Sequence, residues 1–396
     1  MTASVKGLYH WLEAWVAALW FRFPSSKLMV IGVTGTDGKT TTTTLIYEIL
    51  KARGLNVSMI TSVHAVVGGV VYDTGFHVTN PRGWQVQKYL ASAVGHGDTH
   101  FVLETTSHGL SQHRVDFVRF AVGVITNVTH EHLDWHKTFD AYLRAKVSLL
   151  ARARIAVINR DEAALYNQAS SMLKNKRVAT YGIRRDALVS PKSHPFKTRL
   201  VGEFNRYNCL AAIAATEALG VPLKVIQKAI ASFAGVKGRM EVVATKPFRV
   251  IIDFAHTPNA IEQALKTTRA TSKYQLIHVF GSAALRDRTK RPLMGRASAR
   301  YADAIVLTEE DYRTEDVNTI IKEIASGIPA DKLPVCIPNR DEAIGYAISQ
   351  ARPGDTVIIT GKGHEKSLAR GTKEIPWSDQ ETVIKHMKRL GYAQYI

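Results

Sequence analysis

The stretch Val30-Ile-Gly-Val-Thr-Gly-Thr-Asp-Gly-Lys-Thr-Thr-Thr-Thr-Thr44 decides how the rest of the chain is read. An apolar run over 28–33 breaks at Gly35-Thr-Asp-Gly38, and Lys39 and Thr40 then open a segment of helical character. Strand, glycine turn and helix thus follow one another. Such a turn lets backbone N–H groups close around phosphate oxygens, and the helix N-terminus adds its positive end. Lys39 is spaced to reach the β- and γ-phosphates of a nucleotide, and the Thr40 hydroxyl to ligate Mg2+. Gly35, Thr36, Asp37, Gly38, Lys39, Thr40 and Thr41 are therefore candidate ATP-binding residues. The general phosphate-loop pattern has glycine where this chain has Val33, so the loop is a shorter variant. The bland alternative is a structural glycine turn ahead of a polar helix.

At 396 residues, 45% hydrophobic and 22% charged, the chain suits two or three globular domains and excludes wholesale disorder. With 52 Lys and Arg against 34 Asp and Glu, the formal charge of +18 favours anionic partners. The basic residues are scattered, without a block interleaved with aromatics, so a nucleic-acid partner is not expected. Cys209 and Cys336 are far apart in apolar company, which excludes a disulfide framework or a Cys-type zinc site and fits a reducing, cytoplasmic compartment. Both are expected in the core.

Residues 7–23 carry three of the six tryptophans, and Leu8, Trp11, Leu12, Trp15 and Leu19 fall on one helical stripe. His10 and Glu13 interrupt the run, leaving it shorter than the ~18 to 20 apolar residues of a membrane span. No small-residue cleavage pattern of a secretory signal follows. An N-terminal amphipathic helix within 1–27 is expected to pack on the domain behind it. An interfacial membrane helix or a partner-docking helix is the alternative.

From 28 to 236 short apolar runs alternate with helical patterns, as in a parallel sheet covered by helices. Strands are expected at 57–61, 100–104, 120–126 and 155–158, and helices at 139–153 and 207–219. Open α/β sheets bind ligands at the carboxyl ends of their strands, so Gly35 to Thr40, Glu104 and the His130 to His136 loop are candidates for one crevice. Gly235-Val-Lys-Gly-Arg239 reads as a hinge. A second, Rossmann-like α/β domain over 237–396 follows, with strands at 248–253, 276–280, 304–307 and 356–360. The fold class is thus α/β: a central P-loop ATPase-like parallel-sheet domain and a second α/β domain.

Taken with Glu104-Thr-Thr-Ser-His-Gly-Leu-Ser-Gln-His-Arg114, Thr126-Asn-Val-Thr-His-Glu-His-Leu-Asp134, Lys146, Phe204-Asn205, Lys237-Gly-Arg-Met-Glu241, Asp253-Phe-Ala-His-Thr-Pro258, Lys290-Arg-Pro-Leu-Met-Gly295 and Gly361-Lys-Gly-His-Glu365, the chain resembles the Mur ligase family, and most closely its MurE type. The resemblance implies an ATP-dependent ligase that adds an amino acid, with a diamino acid as one option, to the carboxylate of a peptidoglycan-type precursor through an acyl phosphate. It implies catalytic roles for Lys39, Glu104, His132 and Lys146. One Mg2+ would lie at Thr40 and Glu104, and a second at His132 and a carbamylated Lys146. It implies nucleotide contacts from Asn205, Arg239, Asp253 and His256. Thr79, Asn80, Ser107, Gln112 and Arg114 match positions that contact the acceptor, with loop capping the alternative for Ser107 and Gln112.

The amino-acid loop departs from the family. Diaminopimelate-adding members read Asp-Asn-Pro-Arg where this chain has Glu310-Asp-Tyr-Arg313. Arg313 is retained, and with Arg286, Asp311, Gly361 and Glu365 it is expected to bind the incoming amino acid, since a guanidinium grips a carboxylate by paired hydrogen bonds. Only about 27 residues precede the central domain, fewer than the family's UDP-binding domain needs. The expected partners are therefore ATP, an amino acid and a muropeptide-like acceptor that is UDP-linked or lipid-linked, with a peripheral membrane or protein contact through 7–23. Two other readings stay open: a folylpolyglutamate-synthase-like ligase, and a nucleotide-binding scaffold that has lost ligation.

Overall fold

A computed structural model describes residues 3–72, 81–129 and 133–395. The chain divides into two compact units, Met1–Ala234 and Gly235–Ile396.

In the first unit, α1 (Ala3–Trp20) precedes β1 (Met29–Thr34), α2 (Lys39–Ala52), β2 (Val57–Ile60), β3 (Ala65–Val67), β4 (Val70–Tyr72), α3 (Gly83–Gly95), β5 (His100–Glu104) and α4 (Ser107–Ser111). Then come β6 (Phe120–Ile125), α5 (Leu133–His136), α6 (Phe139–Arg152), β7 (Ile155–Asn159), α7 (Ala163–Met172), β8 (Arg177–Tyr181), α8 (Glu203–Glu217) and α9 (Leu223–Ser232). The eight strands form one sheet in the order β4-β3-β2-β5-β1-β6-β7-β8. It is parallel except at the β3 and β4 edge. Burial on both faces explains why β1, β5 and β6 read as unbroken apolar runs. Register aligns Val33 with Glu104 and Thr34 with Ile125, so the carboxyl ends of β5, β1 and β6 lie side by side. Whatever follows these three strands is delivered to one place.

The helices start where capping chemistry allows. Thr138 accepts from the Ala141 amide at the head of α6, and Arg53-Gly54, with Gly54 at φ +83°, stops α2. α1 packs on the unit through its small residues rather than its large ones. Its Leu and Trp stripe faces out, while Ala14, Ala17 and Ala18 are buried against the unit and Gly83 of α3 lies close against Ala14.

The second unit runs β9 (Glu241–Ala244), β10 (Arg249–Asp253), α10 (Pro258–Thr271), β11 (Leu276–Phe280), α11 (Lys290–Tyr301), β12 (Ala304–Leu307), α12 (Val317–Ala325), β13 (Val335–Cys336), α13 (Arg340–Gln350) and β14 (Thr356–Thr360). The hairpin β15 (Ser367–Arg370) and β16 (Lys373–Pro376) and the helix α14 (Asp379–Arg389) complete it. Its sheet has the order β13-β12-β11-β14-β10-β9, parallel but for β9. Period-two alternation sends Ile251 to one core with Leu265, Met294 and Ile324, and Val250 and Ile252 to the other with Ile344, Ile348 and Met387. A buried, two-bonded pair between Arg340 and Asp379, both contacts 2.8 Å, ties the starts of α13 and α14. Cys209 is buried as expected. Cys336 is not a core residue: it is exposed, because β13 is a two-residue edge strand with no layer over it.

Candidate active site

The turn after β1 is built by contacts from the end of β6 and from α8. Gly35 has φ +150° and Gly38 φ +79°, conformations that a side chain disfavours. A Cβ on Gly35 would fall 1.8 Å from Thr126 Oγ1, and one on Gly38 2.2 Å from Asn208 Oδ1, so the loop has no room for either. The Asn127 side-chain oxygen, just beyond β6, accepts hydrogen bonds from the Thr36 and Asp37 amides at 3.2 and 2.8 Å. Thr126 Oγ1 donates to the Asp37 carbonyl at 2.6 Å. Lys39 Nζ folds back on the Gly35 and Thr36 carbonyls, 3.1 and 2.7 Å away. Gly38 then sits at the N-cap of α2 with no side-chain cap, so the first turn offers backbone amides to an anion.

Beside this loop Thr40 Oγ1 lies 3.2 Å from Glu104 Oε1, and Glu104 Oε2 accepts from the Ser62 amide at 2.9 Å. Thr40 and Glu104 are both buried. A hydroxyl and a carboxylate are hard oxygen ligands, and they suit Mg2+, which keeps several waters and nucleotide oxygens rather than filling an all-protein cage. Among the described residues no cluster of three or more His, Cys, Asp or Glu has metal-site geometry. Lys146 is not a solvated helix lysine. It is buried, with Nζ 2.5 Å from the Gly35 carbonyl oxygen and 4.4 Å from the centre of the Tyr142 ring. Tyr142 in turn shares a 2.9 Å hydrogen bond with Thr36 Oγ1.

The segment after β5 borders the same region. Thr106 caps α4 by accepting from the Gly109 amide, so capping is not the task of Ser107. Ser107 is buried and its hydroxyl has no partner among the described residues, nor has the Gln112 side-chain oxygen. Buried polar atoms without a partner are rare and suit a face that meets a ligand. Trp135 Nε1 donates to Ser111 Oγ at 3.2 Å, and the His108 and His136 rings lie 5.7 Å apart, joining this segment to the one after β6. Arg114 is half-buried, and burial lowers its pKa against the pull of Glu13. Asn205 on α8 accepts from Asn208 at 3.0 Å, which links it to the residue packed against Gly38. Thr79, Asn80 and His132 lie outside the described residues.

In the second unit the guanidinium of Arg239 stacks 4.3 Å over the Phe254 ring, and His256 and His364 flank the same ring. Asp253 accepts from the Met240 and Ala255 amides at 2.7 and 2.8 Å. The Gly238 turn packs on the backbone of Gly363 and His364. Lys362 is buried between Asp311, 2.9 Å away, and Glu365, 2.5 Å away. Asp311 also accepts from the Ala369 amide, and the Arg313 amide donates to the Ala369 carbonyl, so the 310–313 loop is held against β15. Glu310 is fully buried beside Gly361, and loss of solvent pushes its pKa up. Arg286 is exposed on its loop, and no hydrogen bond or ion pair among the described residues ties it to this group.

Sequence reasoning missed Asn127, Ser62, Asn208, Glu310 and Lys362. Asn127 stood inside a quoted block, and its place one residue past a strand of the crevice was the available signal.

Residues 33–216 match the Mur ligase middle domain, and residues 238–363 match the Mur ligase glutamate ligase domain. A UDP-N-acetylmuramyl-tripeptide synthetase from Roseiflexus sp. is 36% identical over 96% of this chain and 82% of that protein. The chain belongs to the Mur ligase family. A UDP-N-acetylmuramoyl-L-alanyl-D-glutamate–2,6-diaminopimelate ligase from Synechococcus elongatus is 39% identical to this Mur ligase, over 92% of this chain and 78% of that one. A solved structure bearing the same ligase name superposes with a TM-score of 0.62 at 30% identity, covering 92% of this chain and 79% of that one. A Mycobacterium tuberculosis folylpolyglutamate synthase shares the fold, with a TM-score of 0.73 at 17% identity over 88% of this chain and 92% of that one. The Mur ligase described here is accordingly an ATP-dependent, amide-bond-forming ligase of the acid–amino-acid class, and its family works with ATP and Mg2+.

Proposed function

We propose that this Mur ligase joins an amino acid to the carboxylate of a muropeptide acceptor in the cytoplasm. The observation that supports it most is the Thr40 and Glu104 pair, 3.2 Å apart beside the glycine loop. In the first step a carboxylate oxygen of the acceptor attacks the γ-phosphorus of ATP, ADP leaves, and an acyl phosphate forms. In the second, the neutral amine of the amino acid attacks the acyl carbon, phosphate leaves, and the nitrogen loses one proton and keeps the other as the amide N–H. Charge on the transferring phosphoryl group is the barrier's main electrostatic element.

Loop amides and Lys39 would cradle the phosphates. Thr40 and Glu104 would hold one Mg2+, and His132 with a carbamylated Lys146 a second; the ions would screen the phosphate charge. We assign nucleotide contacts to Asn205 in the first unit and to Arg239, Asp253 and His256 in the second. Thr79, Asn80, Ser107, Gln112 and Arg114 would take the acceptor. Arg313, with Arg286, Asp311, Gly361 and Glu365, would select an amino acid bearing a second carboxylate, and the relatives' names make 2,6-diaminopimelate the first to try. Residues 7–23 would add a peripheral contact with a membrane surface or another protein.

Phosphate release from ATP, measured over a panel of amino acids and of UDP-linked and lipid-linked muropeptides, tests this reading. Release that requires both an acceptor and an amino acid is expected. Release driven by a folate acceptor would instead favour folylpolyglutamate chemistry, and no acceptor-dependent release would favour a scaffold.

A further inference from the structure

Surface helices of globular proteins bury their large apolar residues and expose their polar ones. α1 does the reverse. Leu8, Leu12, Val16, Leu19 and Trp20, spaced at three and four residues, are 60, 44, 46, 45 and 72% exposed. Trp11 and Trp15, their rings parallel and 6.4 Å apart, widen the same face. The side packed on the unit is made of Ala14, Ala17 and Ala18, and the polar residues His10 and Glu13 pair at 3.3 Å with each side chain only 15% exposed. Trp20 and Phe21 continue onto Trp84 of α3, with ring centres 6.2 and 5.4 Å apart.

Among the described residues the exposed charges around this face are basic. Arg22 follows the helix and Lys27 closes the next turn. Arg82 and Lys88 flank Trp84, and the Arg119 amide donates to Ser25 Oγ in that turn. All five side chains are exposed. Two described acids nearby are paired: Glu13 with His10, and Asp116 with His113 and Arg152. A second copy of the chain docked here would bring cations against cations, whereas an anionic bilayer neutralises them. Trp and Tyr side chains also favour the headgroup level of a membrane. At 18 residues α1 is about 27 Å long. No described helix is long and apolar enough to cross a membrane, so α1 would lie in the plane of the surface.

We infer that α1, with Trp84 and the surrounding basic residues, docks this ligase onto an anionic lipid surface. This names the partner of the contact proposed for residues 7–23, and it is independent of the ligase chemistry. At the border of this face Trp11 meets Phe117 edge-on at 5.4 Å, and Gly7 of α1 lies against the His113 ring, so α1 adjoins the segment between β5 and β6. Docking therefore sets the acceptor candidates Ser107 to Arg114 beside the lipid.

Co-sedimentation of the full chain with phosphatidylcholine vesicles, with and without phosphatidylglycerol, tests the inference, with tryptophan emission followed in parallel. Anionic vesicles are expected to bind at least about tenfold more tightly than neutral ones, with a blue shift, and added salt is expected to weaken binding. The double variant Leu12→Asp, Leu19→Asp is expected to lose at least about tenfold of that binding while keeping its circular dichroism and its ATP-dependent phosphate release. Equal binding to neutral vesicles, no binding, or an unaffected double variant would overturn it. So would a wild-type dimer in sedimentation velocity that the double variant dissociates, which would give the face to a second copy. Loss of phosphate release with vesicle binding intact would count against the ligase reading alone.

Discussion

Asn127→Ala removes one oxygen from the phosphate loop and should loosen it far more than its small size suggests. In the folded chain that oxygen accepts from the Thr36 and Asp37 amides at 3.2 and 2.8 Å. The Thr36 amide also donates to the Asn127 backbone carbonyl at 2.9 Å, and the variant keeps that bond. What is lost is chiefly the Asp37 bond and half of a shared one. A net hydrogen bond is worth about 1 kcal/mol, and more where the donor is left without water. The loop is therefore expected to lose about 1–2 kcal/mol of preorganisation, or roughly five- to thirtyfold in ATP affinity. Calorimetric titration with a non-hydrolysable ATP analogue, paired with hydrogen exchange at residues 35–38, reads both effects. Asn127→Asp is the companion: its carboxylate keeps the acceptor but sets a negative charge beside the phosphates, so the amides stay protected while affinity still falls. Unchanged affinity within about twofold and unchanged exchange in Asn127→Ala would refute the reasoning.

Gly38→Ala forces a side chain into φ +79° and onto Asn208, a conformation costing about 1–2 kcal/mol before the clash is counted. It should weaken ATP binding by at least about tenfold. Gly54→Ala, at φ +83° with nothing within 4 Å, should lower thermal stability without touching ATP affinity, and equal ATP binding defects in the two would be inconsistent with the loop geometry. Glu104→Gln keeps the shape of the carboxylate and removes its charge. The Mg2+ concentration giving half-maximal ADP formation should rise by at least about tenfold, and an unchanged Mg2+ dependence would remove Glu104 from the metal site. His278, buried between Ser298 and Thr360, has its pKa pushed down to about 3 from 6.5 by burial. Between those values the unfolded chain binds the extra proton, so the folded state loses stability as pH falls below 6.5, by about 2 kcal/mol at pH 5. The opening free energy of the β11 amides, taken from hydrogen exchange after division by the intrinsic rate at each pH, should fall accordingly, and His278→Gln should flatten that dependence.

The glycine loop and the two sheets were legible because buried parallel strands are unbroken apolar runs and because Gly, Thr and Pro mark their ends. Pieces shorter than one period were not. The three-residue strands β3 and β4 meet at Gly68-Gly69, both at positive φ, and only that pair of glycines hinted at a hairpin. Cys336 sits in apolar sequence on an edge strand that nothing covers, which residue type cannot reveal. Periodicity found the stripe of α1 but not its direction. A helix packed through alanines has the same sequence pattern as one packed through leucines, and only contact with Gly83 and α3 decides between them. Lys146 is similar: alone on a helix it reads as solvated, and the Gly35 carbonyl that it meets lies 111 residues earlier. The grip of Asn127 on the loop spans 90 residues and leaves no local trace either.

The central claim is that an acceptor carboxylate attacks the γ-phosphorus of ATP in the site beside Thr40 and Glu104. With the muropeptide that supports phosphate release carrying 18O in its reacting carboxylate, the released phosphate can be read by 31P NMR. Attack by that carboxylate predicts one labelled oxygen in each phosphate, carried over when the amine displaces the acyl phosphate. Unlabelled phosphate formed alongside the amide product would contradict it.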